Sequence, residues 1–262
     1  MSSEPKLLIT LENGIKRITF NRPKTRNAVD PETFELFNQA MIDAAQDESR
    51  VIILSGAGEA FCSGADLSSF NAMDVANYDV TTSLRERTNP AILAMRAMPK
   101  PIIARVHGPA AGIGCNYALA CDIIVASEQA YFAELFVKIG LMPDGGGTYF
   151  FPRMVGYHKA FELMALGEVV PAADAVRLGI ANKVVPFTEL DATVNGMAER
   201  LAQAPSIAVA NIKAGLNLAL NSDLAGALEF EAVHQADCFH SADFREGVTA
   251  FLEKRKPVFT GK

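Results

Sequence analysis

The sequence has no tryptophan, and its four cysteines, at 62, 115, 121 and 238, form no CxxC pair. That spacing argues against a zinc ribbon or a small disulfide framework and reads as reduced thiols. Positive charge is not in excess either: 24 Lys and Arg stand against 30 Asp and Glu, for a net charge of −6. A basic footprint for nucleic acid is therefore missing. No apolar run reaches the roughly 20 residues that span a bilayer, and Met1 to Lys6 has no apolar segment of the signal-peptide kind. A soluble, cytoplasmic protein with no membrane partner is expected. Neither glycine-rich run is followed by Gly-Lys-Ser/Thr, and GxGxxG is absent after the first strand. A phosphate loop and a dinucleotide site are both poorly supported.

What is present is the material of a large α/β core. Half of the 262 residues are hydrophobic and 21% are charged, which suits a globular chain with a sizeable interior. Leu7–Glu12 and Ile15–Phe20 flank Asn13-Gly14, a pair suited to a tight hairpin turn. Asp30-Pro31 starts a helix, with Asp as N-cap and Pro at the first helical position. Phe34, Phe37, Ala40, Met41, Ala44 and Ala45 follow at helical spacing. Val51–Leu54 and Pro101–Val106 are apolar strands that each run into a glycine-bearing loop, the first covered on both faces. Ile123–Ala126, Ala130–Ala133 and Asn182–Val185 are further strands, the last interrupting a mostly helical stretch from Gly146 onward. Leu190–Ala202, Ser206–Leu220, Leu224–Phe239 and Asp243–Arg255 carry apolar residues at helical spacing. These patterns predict an α/β core over residues 1–200 and a C-terminal helical region over 201–262.

Two strand–loop–helix junctions hold the candidate chemistry: Phe61-Cys62-Ser63-Gly64-Ala65-Asp66-Leu67 and Gly108-Pro109-Ala110-Ala111-Gly112-Ile113-Gly114-Cys115-Asn116. Glycine lets the backbone turn sharply before a helix, and the free N–H groups of the helix start then face outward. Two such ends facing each other make an oxyanion hole; the alternative is two ordinary tight turns. Asp144, ahead of Gly145-Gly146-Gly147, is either a helix cap or a catalytic carboxylate. His234, Cys238 and His240 fit no familiar metal spacing, since 240 leaves the face shared by 234 and 238. Basic residues cluster at Arg22, Lys24 and Arg26 and again at Lys254, Arg255 and Lys256, where an anionic ligand could bind despite the global sign.

Asn21-Arg22-Pro23, the 61–67 motif, the 107–123 stretch ending Cys121-Asp122-Ile123, and Gly140-Leu141-Met142-Pro143-Asp144-Gly145-Gly146-Gly147-Thr148 resemble the crotonase superfamily in order and spacing. So does the ending Arg245 to Arg255, and the likeness covers essentially the whole chain. The resemblance implies a ClpP-like spiral of ββα units, a C-terminal helical trimerisation region, and a homotrimer or dimer of trimers. It implies an acyl-coenzyme A substrate, with the coenzyme carried by the substrate and with no separate cofactor or metal. It puts the backbone N–H groups of Ala65 and Ile113 on the thioester oxygen. It also lines the coenzyme path with Ala65, Asp66, Leu67 and Ser68, beside the Gly112 and Gly114 turn. Lys24, Phe251 and Lys254 become candidates for the adenine and phosphate groups.

Departures from the family pattern decide the expected reaction. Hydratases of the family place glutamates where this chain has Asn116 and Phe136, and adding water needs an acid and a base together. The segment Lys138 to Thr148 and the ending Ser241 to Lys262 look closest to the ring-epoxide isomerases acting on 1,2-epoxyphenylacetyl-CoA, which use the aspartate at position 144. A dehalogenase branch also uses that aspartate, but with a tryptophan partner this chain lacks. An enoyl-CoA isomerase with Asp144 as acid/base is expected. A hydratase with a non-standard water arrangement and a non-catalytic acyl-CoA-binding relative are the alternatives. Glu134, in an expected strand near the site, reads as a solvated or structural carboxylate, with an assisting role as the alternative.

Overall fold

The computed structural model describes residues 4–70, 74 and 76–262. The chain opens with β1 (Leu7–Glu12) and β2 (Ile15–Phe20), an antiparallel hairpin. Asn13 and Gly14 take φ of 53° and 74° to close it, the backbone such a two-residue turn demands. Helix α1 (Pro31–Gln46) starts as predicted, with Asp30 Oδ1 accepting the Thr33 N–H at 2.9 Å. Strand β3 (Val51–Gly56) follows.

A short α2 (Val80–Ser83) runs through a π-helical turn, Leu84–Thr88, into α3 (Asn89–Ala97). Asn38 of α1 splints this turn: its Nδ2 donates to Arg87 O at 2.8 Å and its Oδ1 accepts from Ala91 N at 2.9 Å. The amide thus stands in for the helical bond between those two residues. Strand β4 (Ile102–Val106), the short β5 (Pro109–Ala111) and α4 (Ile113–Leu119) come next, then β6 (Ile123–Ser127) and β7 (Tyr131–Ala133). After them come α5 (Gly147–Val155), α6 (Tyr157–Leu166), β8 (Val169–Pro171), α7 (Ala172–Arg177), β9 (Lys183–Val185) and α8 (Phe187–Ala202). Helices α9 (Ser206–Ala219), α10 (Leu224–Phe239) and α11 (Ala242–Leu252) end the chain.

The main sheet has the order β1-β2-β3-β4-β6-β9 and is parallel apart from the first hairpin. Its register places Ile18, Leu54, Ala104 and Ile124 in one row, all buried in the larger core. Alternate residues point the other way. Val51, Ile53, Ile103 and Val125 pack there against Leu190, Val194 and Ala198 of α8. The sheet is covered on both faces, which is why its strands read as near-continuous apolar runs. A second, three-stranded sheet has the order β5-β7-β8, with β5 and β7 parallel and β8 antiparallel to β7. Its third strand lies inside the stretch that the sequence pattern assigned to helix, because three residues are too few to carry an alternation signal.

Along α9 to α11 burial is scarce: Lys213 is buried on α9, and α10 has no buried residue. Lys213 fastens α9 to the core through Asp122 Oδ2 at 2.8 Å and Lys100 O at 3.0 Å. Asp243 holds the C-terminal segment by accepting from Thr260 N and Gly261 N. Among the described residues no helix is long and apolar enough to cross a membrane.

Candidate active site

The two glycine turns are stitched together. Cys62 N donates to Pro109 O and Ala111 N donates to Cys62 O, both at 3.0 Å, making a parallel bridge between Cys62 and Ala110. Each strand then turns away at a glycine, Gly64 with φ 108° and Gly112 with φ 52°. The turns touch: a Cβ on Gly64 would lie 3.1 Å from Ala111 O, and one on Gly112 would lie 3.8 Å from Gly64 Cα. Only glycine combines that φ with that approach.

Beyond the turns stand two N–H groups without an acceptor among the described residues, those of Ala65 and Ile113. Both are held rigidly. Gly64 O accepts from Val29 N and Asp66 N donates to Val29 O, so Ala65 is pinned on either side. Ile113 opens α4 directly after Gly112, whose own N–H bonds to Ala133 O at 2.9 Å. Juxtaposed, fixed and unpaired donors of this kind can stabilise charge on a carbonyl oxygen. The ring of Phe136 borders the same turn, with Cζ 3.8 Å from the Cβ position of Gly112.

Asp144 lies in the loop ahead of α5. Its side chain does not cap that helix: the N-cap is Gly146, without a side-chain bond, and Asp144 Oδ1 is buried with no partner. Only its backbone carbonyl is used, accepting from Gly147 N at 3.1 Å and from Asn116 Nδ2 at 2.8 Å. The capping alternative therefore fails on geometry. Burial without a cation disfavours the charged form and pushes the Asp144 carboxyl up to about 6. Tyr117, buried and stacked with Phe20 at 5.8 Å, also leaves its hydroxyl unpartnered. The thiols of Cys62 and Cys115 are raised by burial and so are inert packing groups.

Glu134 is the group that the sequence pattern undervalued. It is 1% exposed, so it is not solvated, and neither carboxylate oxygen has a partner. A Cβ on Gly147 would sit 3.1 Å from Glu134 Oε2 and 3.0–3.1 Å from both atoms of the Asn116 amide. Burial pushes Glu134 up to about 8; the neighbouring Cys115 thiol pulls it back, the charge on Asp144 adds to the rise by a smaller amount, and Asn116 pulls back least. No periodicity marks such a residue; the signal was a lone acid following the apolar run Tyr131–Ala133.

The remaining predicted residues divide. Leu67 and Ser68 are exposed beside Ala65. Asp66 is spoken for: its Oδ2 takes Arg22 Nη2 at 2.9 Å and its Oδ1 takes Ser68 N and Oγ. The Ser68 bonds, with Arg22 adding, hold its carboxyl below the ordinary range. Asp66 is thus a brace for the loop, and Arg22 drops out of the free basic cluster. Gly114 is buried against Cys62, where a Cβ would come within 2.7 Å of the Cys62 Cβ. Lys24 is exposed in a short 3-10 turn, Pro23–Thr25. Phe251 lies at the far end of α11 and Lys254 in the turn beyond it, Phe251 beside an apolar pocket of about 400 Å³ with Phe244, Val248 and Phe259. Arg255 is committed to Glu246 and Glu253. Asn27 was not anticipated; its buried amide ties Ala57 O and Ala60 O and so shapes the loop into Phe61. Among the described residues no His, Cys, Asp or Glu group could hold a metal.

Residues 10–262 match the family model described as Enoyl-CoA hydratase/isomerase. A probable enoyl-CoA hydratase from Rhodobacter capsulatus is 40% identical over 252 residues, covering 96% of each chain. The 1,2-epoxyphenylacetyl-CoA isomerase of Escherichia coli is 36% identical over 258 residues, with 98% of each chain covered. The crystal structure of an enoyl-CoA hydratase from Mycobacterium smegmatis superposes with a TM-score of 0.92 at 34% identity, covering 98% of this chain and 99% of that one.

Proposed function

Since the chain belongs to the enoyl-CoA hydratase/isomerase family, we propose that it moves a double bond, or opens a ring epoxide, within an acyl-CoA thioester. Asp144 is the acid/base and the N–H groups of Ala65 and Ile113 hold the thioester oxygen. The observation that carries this reading is the half-buried Asp144 carboxyl, whose Oδ1 is buried without a partner among the described residues and whose pKa is raised to about 6. A base is most useful when its pKa lies near the working pH.

In the double-bond shift, ionised Asp144 removes a proton from the α carbon of a 3-enoyl thioester. The electron pair delocalises into the carbonyl, and the oxygen gains negative charge against the two N–H groups. Asp144, now a carboxylic acid, returns the proton at the γ carbon, and the carbonyl re-forms. Atoms balance and no water enters. Removing one such donor typically costs about 10²–10³ in rate.

A second reading, hydration, is favoured by one observation: Glu134 and Asp144 place two carboxyl groups in a single buried cluster. Mass spectrometry of products from a panel of enoyl-CoA thioesters separates the two. An isomer keeps the substrate mass, whereas hydration adds one water. A non-catalytic relative would bind the thioesters and return them unchanged.

A further inference from the structure

Around Gly147 the described residues bury an unusual number of oxygen acceptors and very few donors. Asn116 Oδ1, both oxygens of Glu134 and Asp144 Oδ1 are all buried and unpartnered. The Asn116 amide cannot simply be turned over, because its Nδ2 is spent on Asp144 O at 2.8 Å and an oxygen there would face another oxygen. Among the described residues neither carboxyl group has a lysine, arginine or histidine bonded to it. The titratable groups facing the cluster are Cys115 from α4, adjoining Glu134, and Tyr117 from the same helix, adjoining Asp144, with Cys62 behind it. None of them supplies a positive charge.

Two negative charges in such a place would be costly. One added proton changes the count: a neutral glutamic acid brings a donor into a set of acceptors. We propose that Glu134 is a positioning residue for Asp144, held as the neutral acid and donating its proton into the Asn116 amide that suspends the Asp144 loop. This rests on the reading of Asp144 as the base. Glu134 does not itself exchange a proton with substrate. Its neutrality leaves Asp144 as the single site of ionisation, and its ionisation breaks the support and sets a second charge against the base. Coupled carboxyl pairs titrate in two steps that belong to the pair, so the first step opens activity and the second closes it.

The test is kcat and KM for a 3-enoyl-CoA measured from about pH 5 to 9 on the parent, E134Q and E134A, with melting curves beside them. The parent's kcat should rise through about 6 and fall through about 8. E134Q keeps a neutral donor: its kcat at neutral pH should stay within about tenfold of the parent, and the alkaline fall should vanish. E134A has no donor and should lose about 10² in kcat with KM little changed. An alkaline fall that persists in E134Q overturns the proposal, as does a kcat in E134Q as low as in E134A. Carboxyl ¹³C NMR titration of the parent and D144N gives a readout independent of turnover. Glu134 protonated at neutral pH in the parent supports the proposal, and Glu134 titrating in the ordinary acid range ends it. Full activity in D144N would instead defeat the reading of the reaction, while the NMR titration still decides the state of Glu134.

Discussion

Around Gly147 the protein buries oxygen atoms without partners; along α9 to α11 it leaves leucine and phenylalanine in water. Ile212 is 62% exposed, Leu224 75% and Phe251 82%. Each region departs from ordinary burial, one by hiding polar groups and the other by showing apolar ones. Buried polar groups are normally bonded; the free Asp144 Oδ1 suits an arriving substrate, while the unpartnered Glu134 and Asn116 oxygens are the ones that the proposed proton on Glu134 satisfies. A contiguous apolar face points to a surface that is later covered. The apolar surface runs over three helices, and we propose that other copies of this chain cover it in a trimer or a dimer of trimers.

The comparison breaks most sharply at Asp144. D144N keeps the size of the side chain but cannot take up a proton, and turnover of a 3-enoyl-CoA should fall by about 10²–10⁴. Thioester binding should persist, since Asp144 Oδ1 has no hydrogen-bond partner among the described residues to lose. Full activity in D144N, measured by product chromatography, would remove Asp144 from the mechanism. Next comes the glycine pair. Gly64→Ala introduces a Cβ at a φ of 108°, 3.1 Å from Ala111 O, and should displace the Ala65 N–H. The expected loss is about 10² in kcat, with a smaller change in KM.

In the apolar region, Leu216→Glu places a charge on a face where Leu216 is 64% exposed. Light scattering at micromolar concentration should show a trimer or hexamer for the parent and smaller species for the variant. A monomeric parent would contradict the covered-face account. The smallest effect is on stability. Asp144 and Glu134 both have carboxyls raised by burial, to about 6 and about 8. Such groups favour the fold fully below their unfolded values, near 4, and the contribution is lost as pH rises through 6 and then 8. The Tm of the parent should therefore fall between pH 5 and pH 8 by more than that of D144N/E134Q, as read by calorimetry.

Legibility from sequence followed the range of the interactions involved. The hairpin at Asn13-Gly14 and the cap at Asp30 are local, and both are found where the residues predict them. The parallel strands were legible as apolar runs because both their faces are buried. What escaped is set by contacts distant in sequence: the splint from Asn38 to Arg87 and Ala91, the second sheet, and the burial of Glu134 beneath Gly147. The 61–67 and 107–116 motifs could be paired only through resemblance. Their pairing depends on the Cys62–Ala110 bridge, which no spacing within either motif encodes. Asp66 was legible as a site-loop residue but not as the partner of Arg22, 44 positions away.

The most direct test follows an atom. A 3-enoyl-CoA carrying deuterium on its α carbon is converted in ordinary water, and the product is examined by mass spectrometry with fragment assignment. One partly buried base should give a product with no added water and part of the deuterium at the γ carbon, with the transfer lost in D144N. A product heavier by one water, or a shifted double bond formed as fast by D144N as by the parent, would contradict the account.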